Sequence, residues 1–156
     1  MDESDRKLIE NIEKFGCQVM HISAEDDLPP FAYSVGISKT SQAPEVVVIG
    51  LKQAMAHFVV NEYNNRVRNG EKFVPGERYT DFIDDFEMQV TVVHKSHYEE
   101  YFGVALWLYE GPNFDVLQLI YPNTLGVWPW EPEANDWFRA WQANLSTPSN
   151  VLPTAL

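Results

Sequence analysis

Cysteine is almost absent from the sequence, which has a single one, Cys17, among 156 residues. One thiol excludes an internal disulfide framework and a zinc site built from several cysteines. Cys17 follows Gly16 at the start of a predicted strand, and free cysteines in such places are typically small buried side chains. We therefore interpret Cys17 as a buried, inert thiol and not as a nucleophile.

Positive charge is also scarce, because the chain has 11 Lys and Arg residues against 23 Asp and Glu residues and a net charge of −12. Nucleic acids and anionic membranes bind cationic surfaces, so this balance argues against both as partners. A basic protein partner is compatible with it, since an acidic field steers basic molecules toward the surface. Acidity also keeps a protein soluble without any partner, so the charge alone leaves both explanations open.

Long hydrophobic runs are missing. The longest apolar runs, such as residues 46–51, are much shorter than the roughly 20 residues of a membrane-spanning helix. Residues 1–5 are acidic, and no apolar segment of the kind found in secretory signals follows them. These features predict no membrane partner and a cytoplasmic location.

The length and the 45% content of hydrophobic residues predict one domain, residues 1–145, followed by a loosely ordered tail, residues 146–156. Strand-like and helical patterns do not alternate strictly along this domain. We therefore predict an α+β fold with a mixed or mainly antiparallel sheet and about three helices packed mostly on one face. The predicted strands are residues 17–23, 31–37, 45–50, 86–93 and 114–121. The predicted helices are residues 4–15, 52–68 and 97–109, with a short one at 133–142.

Some local patterns lead to more detailed predictions. Residues 38–44 are typical of a polar connection, and residues 71–85 show no regular period. In the helix at 52–68, the apolar side is predicted to be buried. Its members are Met55, Phe58, Val59, Tyr63 and Val67.

Signatures of nucleotide and metal binding are absent. The sequence has no glycine-rich dinucleotide pattern and no P-loop. His94 and His97 are spaced like a ligand pair, but they lie at a predicted strand-to-helix junction without the further ligands that zinc needs. We therefore predict no catalytic residue, no metal site and no cofactor.

Two segments indicate a built pocket, because each joins strand residues to turn-forming or aromatic ones. They are residues 29–37 and 118–130. Glu45 has a distinctive position, since it leads into the most hydrophobic strand and could lie at a pocket mouth. Aromatic and polar groups that converge in a concave site are the usual layout of a ligand pocket. The candidate pocket residues are Tyr33, Ser34, Glu45, His57, Gln118 and Tyr121.

Two other features suggest contacts with a partner. The first is a set of acidic residues, Asp81, Asp84, Asp85 and Glu87. The second is Trp128 and Trp130, whose rings we expect to be held apart by the intervening proline because proline restricts the backbone. These tryptophans could clamp a flat ligand, anchor a protein interface, or seal the core edge together with Trp137 and Trp141, which we expect to stack one helical turn apart.

The chain resembles an uncharacterised bacterial family, the domain of unknown function DUF4262, over residues 16–130. The resemblance depends on Gly16 with the strand after it and on Gly126 with Pro129-Trp130. It also depends on the blocks PFAYSVGI at 30–37, PEVVVIGL at 44–51 and LQLIYPN at 117–123. Asn123 stands where such families often have an aspartate, which weakens any role for a carboxylate there. The family has no established activity, so the resemblance implies no catalytic residue.

Two functional hypotheses follow. The first is a non-enzymatic acidic binding protein, of the immunity or inhibitor type, that neutralises a basic protein partner such as a toxin. The alternative is an enzyme or a small-molecule-binding domain whose pocket lies between the strand at 31–37 and the strand and loop at 118–130. A domain that forms oligomers through its tryptophan loop is a third possibility.

Overall fold

Six strands and six helices form in residues 2–149, the part of the chain that the computed structural model describes. The strands are β1 (Gln18–Ile22), β2 (Phe31–Val35), β3 (Glu45–Ile49), β4 (Arg78–Ile83), β5 (Phe86–Val92) and β6 (Val116–Ile120). The helices are α1 (Glu3–Phe15), α2 (Ile37–Ser41), α3 (Gln53–Arg68), α4 (Tyr98–Tyr101), α5 (Gly103–Tyr109) and α6 (Asp136–Trp141). A short 3-10 helix, Lys95–His97, precedes α4.

The strands form one sheet in the order β1-β2-β3-β6-β5-β4. Every neighbouring pair is antiparallel except β3 and β6, which run parallel. The predicted α+β class with a mixed, mainly antiparallel sheet is thus confirmed. Because β3 lies between β2 and β6, the segments at 31–37 and 118–130, which the sequence suggests as two sides of a pocket, are not neighbours in the sheet.

The sheet is covered on both faces, because successive side chains of a strand point to opposite sides. Val46 and Val48 of β3 pack with α3 in one hydrophobic cluster. Val47 and Ile49 pack in a second cluster with residues of α1, α4 and α5. Helices mostly on one face are therefore not confirmed. Every residue of β3 is buried, as the continuous apolar run of this strand predicts.

Helix α3 turns a different side to the sheet from the one predicted. Met55 and Phe58 are 46% and 56% exposed, whereas Ala56 and Val60 are fully buried. Val59, Tyr63 and Val67 are buried as expected. The buried side chains of α3 recur at three- and four-residue spacing from Ala56 to Val67, and Met55 and Phe58 lie outside that stripe.

Three other local predictions are wrong. Residues 38–44 are not only a connection, because α2 occupies Ile37–Ser41 and takes Ile37 out of the predicted strand. The irregular stretch 71–85 contains β4, which pairs with β5. The predicted helix at 97–109 is interrupted at Phe102, whose φ of −120° and ψ of 45° separate α4 from α5.

The end of the described chain is hydrogen-bonded to the short 3-10 helix. His97 Nε2 lies 2.6 Å from the Thr147 carbonyl oxygen, and Ser149 N donates to Ser96 Oγ at 2.8 Å. The rest of the predicted tail, residues 150–156, lies outside the described residues. No helix within residues 2–149 has both the length and the apolar character that crossing a bilayer requires.

Candidate functional site

Glu45 lies at the first position of β3 and is only 1% exposed. Its carboxylate accepts a hydrogen bond from Ser34 Oγ at 2.7 Å and from three consecutive backbone N–H groups, residues 36–38, at 3.0–3.2 Å. The Tyr109 hydroxyl donates a further hydrogen bond to Glu45 Oε2. The carboxylate therefore holds the start of α2 against β3.

This arrangement indicates a structural role for Glu45. Burial raises the pKa of the Glu45 carboxyl, while its hydrogen-bond donors act in the opposite direction. Within residues 2–149, no basic side chain forms a salt bridge with it. Since the side chain is enclosed and its oxygens are occupied by protein donors, it does not lie at the mouth of a pocket.

Tyr33, Ser34 and Gln118 are also buried, at 3%, 0% and 0% exposure. The Tyr33 hydroxyl accepts from the Val104 backbone N–H at 3.2 Å. The Gln118 amide donates to the Ala143 carbonyl at 2.7 Å and accepts from the backbone N–H of residue 145 at 2.8 Å. These polar groups therefore bind neighbouring segments of the protein.

His57 and Tyr121 line two different cavities. His57 is exposed on α3, beside a cavity of about 500 Å³ that Cys17 and Arg68 also line. Tyr121 lines a separate groove at the end of β6. The structure thus does not bring the six candidate pocket residues together. Burial raises the pKa of the Cys17 thiol to about 12, which agrees with an inert thiol.

The four acidic candidates do come together. Asp81, Asp84, Asp85 and Glu87 line one cavity of about 520 Å³ on the β4–β5 hairpin, here named the acidic cavity. The other lining residues are Thr80, Ile83 and Phe86, so none of its walls carries a positive side chain. Asp81 and Asp85 have positive φ angles of 71° and 66°, a conformation that aspartate adopts more readily than most residues.

The rings of Trp128 and Trp130 stack on each other, with centroids 5.1 Å apart and an interplanar angle of 15°. The expectation that the proline between them holds them apart is wrong, because the backbone turns there and brings both rings to one side. The Arg78 guanidinium lies 4.3 Å from the centroid of Trp128, which is 7% exposed. Trp130 is 44% exposed, so its outer face remains available for contact.

The third concave surface, which Tyr121 lines, was not predicted from the sequence. It is a groove of about 420 Å³, here named the aromatic groove, without a charged side chain among its lining residues. Trp137 and Trp141 stack in its wall as predicted, with centroids 5.4 Å apart. The residues that characterise it are Gly50, Met55, Phe86, Tyr121, Trp137 and Trp141.

The base of the aromatic groove is built on Gly50. The Tyr121 hydroxyl donates to the Ile49 carbonyl and the Trp141 indole N–H donates to the Gly50 carbonyl, both at 2.9 Å. Gly50 and Tyr121 directly follow β3 and β6, the parallel pair. The carboxyl ends of parallel strands meet at one edge of a sheet, where ligand crevices are common. The meeting of the residues after β3 and β6 indicates where the groove lies. The sequence could give this indication only if the pairing of these two strands were known.

The acidic cavity and the aromatic groove are neighbours. Ile83 and Phe86 line both of them, so the apolar groove borders four carboxylates through two shared side chains. Among residues 2–149, no group of three or more His, Cys, Asp or Glu side chains is arranged to hold a metal ion. The combined surface is therefore best described as an apolar depression with an acidic border.

A family model for a domain of unknown function, DUF4262, matches residues 11–135. The chain belongs to the DUF4262 family. The match includes Glu45, the acidic cavity and the ends of β3 and β6, but it stops before Trp137 and Trp141. No curated protein and no solved structure matches the chain.

Proposed function

We propose that this protein is a non-enzymatic binding domain whose β4–β5 hairpin engages a basic protein partner. The supporting observation is that four carboxylates line one cavity without a positively charged residue. Such a surface attracts basic molecules and rejects acidic ones, since electrostatic complementarity governs both association rate and choice of partner. The net charge of −12 acts in the same direction at longer range.

An immunity or inhibitor role in the cytoplasm fits this proposal. A protein that neutralises a basic toxin needs a preformed acidic surface and no active site of its own. The polar side chains around Glu45 and around Gln118, which the sequence suggested for a pocket, are hydrogen-bonded to the protein itself.

The alternative, an enzyme or a small-molecule-binding domain, has less support. It requires a pocket between the segments at 31–37 and 118–130, and β3 separates these segments in the sheet. Of its six candidate residues, Tyr33, Ser34, Glu45 and Gln118 are buried. A thermal-shift screen with a metabolite library tests this alternative, because a ligand of the native state raises the apparent stability.

The main proposal is tested by capturing partners from a lysate of the source organism with the native protein and two charge variants. The hairpin variant combines Asp81→Asn, Asp84→Asn, Asp85→Asn and Glu87→Gln. The control variant combines Glu10→Gln, Glu13→Gln, Glu99→Gln and Glu100→Gln, all at exposed positions. Each variant loses four negative charges, so the two have equal net charge.

We expect the native protein and the control variant to retain the same basic protein, and the hairpin variant to lose it. Retention should also weaken as salt is added, because salt screens contacts between exposed charges. Equal retention by the two variants would contradict a specific role for the hairpin carboxylates. No basic protein retained at low and moderate salt would refute the proposed function.

A further inference from the structure

The aromatic groove exposes apolar side chains that the fold itself does not cover. Trp137 is 63% exposed and Met55 is 46% exposed, and both line the groove. Tryptophan and methionine are enriched where protein interfaces have their cores, and buried tryptophans often supply much of the binding energy. The groove therefore has the composition of an interface centre.

Two of the polar atoms that line the groove are already used within the protein. The Tyr121 hydroxyl is bound to the Ile49 carbonyl, and the Trp141 indole N–H is bound to the Gly50 carbonyl. The rings of Tyr121 and Trp141 are therefore available for contact through their faces more than through their polar atoms. Asn123 and Thr124 also line the groove, but most of its lining side chains are apolar or aromatic, so it favours an aliphatic or aromatic side chain.

The border of the groove adds a requirement on charge. Ile83 and Phe86 line both the groove and the acidic cavity, and no lining residue of either depression is positively charged. The carboxylates would repel an acidic segment of an occupant. They would attract a lysine or arginine next to the apolar side chain that enters the groove. An apolar centre with a charged rim is the usual anatomy of a protein interface.

From these observations we propose that the aromatic groove receives an apolar side chain of the partner, on a short segment whose neighbouring residues are basic and contact the acidic cavity. This inference rests on the proposed function and specifies the chemistry of the partner. It also assigns separate tasks to the two depressions: the acidic cavity selects charge, and the aromatic groove selects an apolar anchor.

Three short capped peptides test the proposal without knowledge of the partner. One has a central leucine between two pairs of lysines, the second has glycine in place of the leucine, and the third has leucine between two pairs of glutamates. Titrations of the ¹⁵N-labelled full-length protein, followed through the tryptophan indole N–H signals, give the affinity and the location of binding. The signal of Trp137 is identified with the variant Trp137→Ala.

We expect the lysine-leucine peptide to bind at least about tenfold more tightly than the lysine-glycine peptide, because burial of a leucine side chain is worth about that factor or more. Its binding should shift the Trp137 signal, and the glutamate peptide should not bind. Trp137→Ala should abolish the preference for leucine. The matched control is Trp107→Ala, since Trp107 is 47% exposed on α5, away from the groove.

Equal affinity for the leucine and glycine peptides, or binding of the glutamate peptide, would overturn the inference. A dimer in sedimentation velocity that Trp137→Ala dissociates would also overturn it, because a second copy of the chain would then occupy the groove. If lysate capture still depends on the hairpin carboxylates in these cases, the proposed function stands and only the groove inference fails. If capture from the lysate does not depend on the hairpin carboxylates, the proposed function itself fails.

Discussion

The Ser34 hydroxyl donates a hydrogen bond to Glu45 Oε1 at 2.7 Å and accepts one from the Val46 backbone N–H at 2.9 Å. Ser34 is in β2 and Glu45 begins β3, so this side chain connects two neighbouring strands to one carboxylate. The same carboxylate binds the three backbone N–H groups at the start of α2. A polar pair thus organises the junction of three elements inside the protein.

Glu45→Gln should lower the free energy of unfolding by about 2 kcal/mol. The amide has one acceptor oxygen, and its NH₂ group would face backbone N–H groups that need an acceptor, so buried donors would be left unpaired. Urea unfolding monitored by tryptophan fluorescence measures the effect. The control Glu99→Gln is exposed and should change the stability by less than about 0.5 kcal/mol. Equal stability of the two variants would contradict a structural role for Glu45.

Gly50→Ala should destabilise the protein more than Gly76→Ala. Both glycines have a positive φ, +90° and +92°, so both substitutions strain the backbone by roughly 1–2 kcal/mol. Only at Gly50 would the added Cβ lie 2.6 Å from Tyr121 Oη and 2.8 Å from a Trp141 ring carbon, whereas nothing lies within 4 Å at Gly76. The difference between the two unfolding free energies therefore measures how tightly the base of the aromatic groove is packed. Similar losses would mean that the groove relaxes easily.

Cys17 should react slowly with iodoacetamide at pH 8 in the native protein and rapidly in urea. Burial raises its pKa to about 12, so the thiolate that reacts is rare in the folded state. Mass spectrometry of the quenched reaction gives both rates. Rapid labelling of the native protein would show that the thiol is accessible and ionised.

Alkaline pH should remove a stabilising contribution of Cys17. A thiol with a raised pKa in the folded state stabilises the protein fully below its ordinary pKa of 9.0, and this contribution is lost as the pH rises toward about 12. The difference in unfolding free energy between the native protein and Cys17→Ala should be constant below about pH 9 and shrink above it. A difference that does not change with pH would indicate that Cys17 ionises in the folded protein as it does in the unfolded chain.

Neutralising the hairpin should raise the thermal midpoint at low salt. Folding gathers Asp84 and Asp85 with the other carboxylates of the acidic cavity, and like charges held together repel each other. Asp84→Asn with Asp85→Asn relieves this repulsion, and added salt should reduce the gain. Scanning calorimetry at two salt concentrations provides the test. A lower midpoint for the variant would mean that these carboxylates stabilise the fold.

The parts of the fold that local chemistry controls were predictable. The β-branched run in β3 identifies a strand covered on both faces, and Gly16 marks the end of α1 with a φ of 93°. The stacking of Trp137 on Trp141 follows from their spacing on a helix. The acidic residues that line one cavity lie close together in the chain, on a single hairpin, so their proximity was also within reach of the sequence.

The sequence by itself determined the acidic character, the strand and helix content of most segments and membership in the DUF4262 family. Tertiary structure alone decided that α2 forms, because a carboxylate from β3 binds its first N–H groups. Tertiary structure also forms the aromatic groove, whose walls come from α3, the β4–β5 hairpin, the end of β6 and α6. Contacts between residues far apart in the chain depend on strand order and packing, and periodicity along one segment contains no information about either.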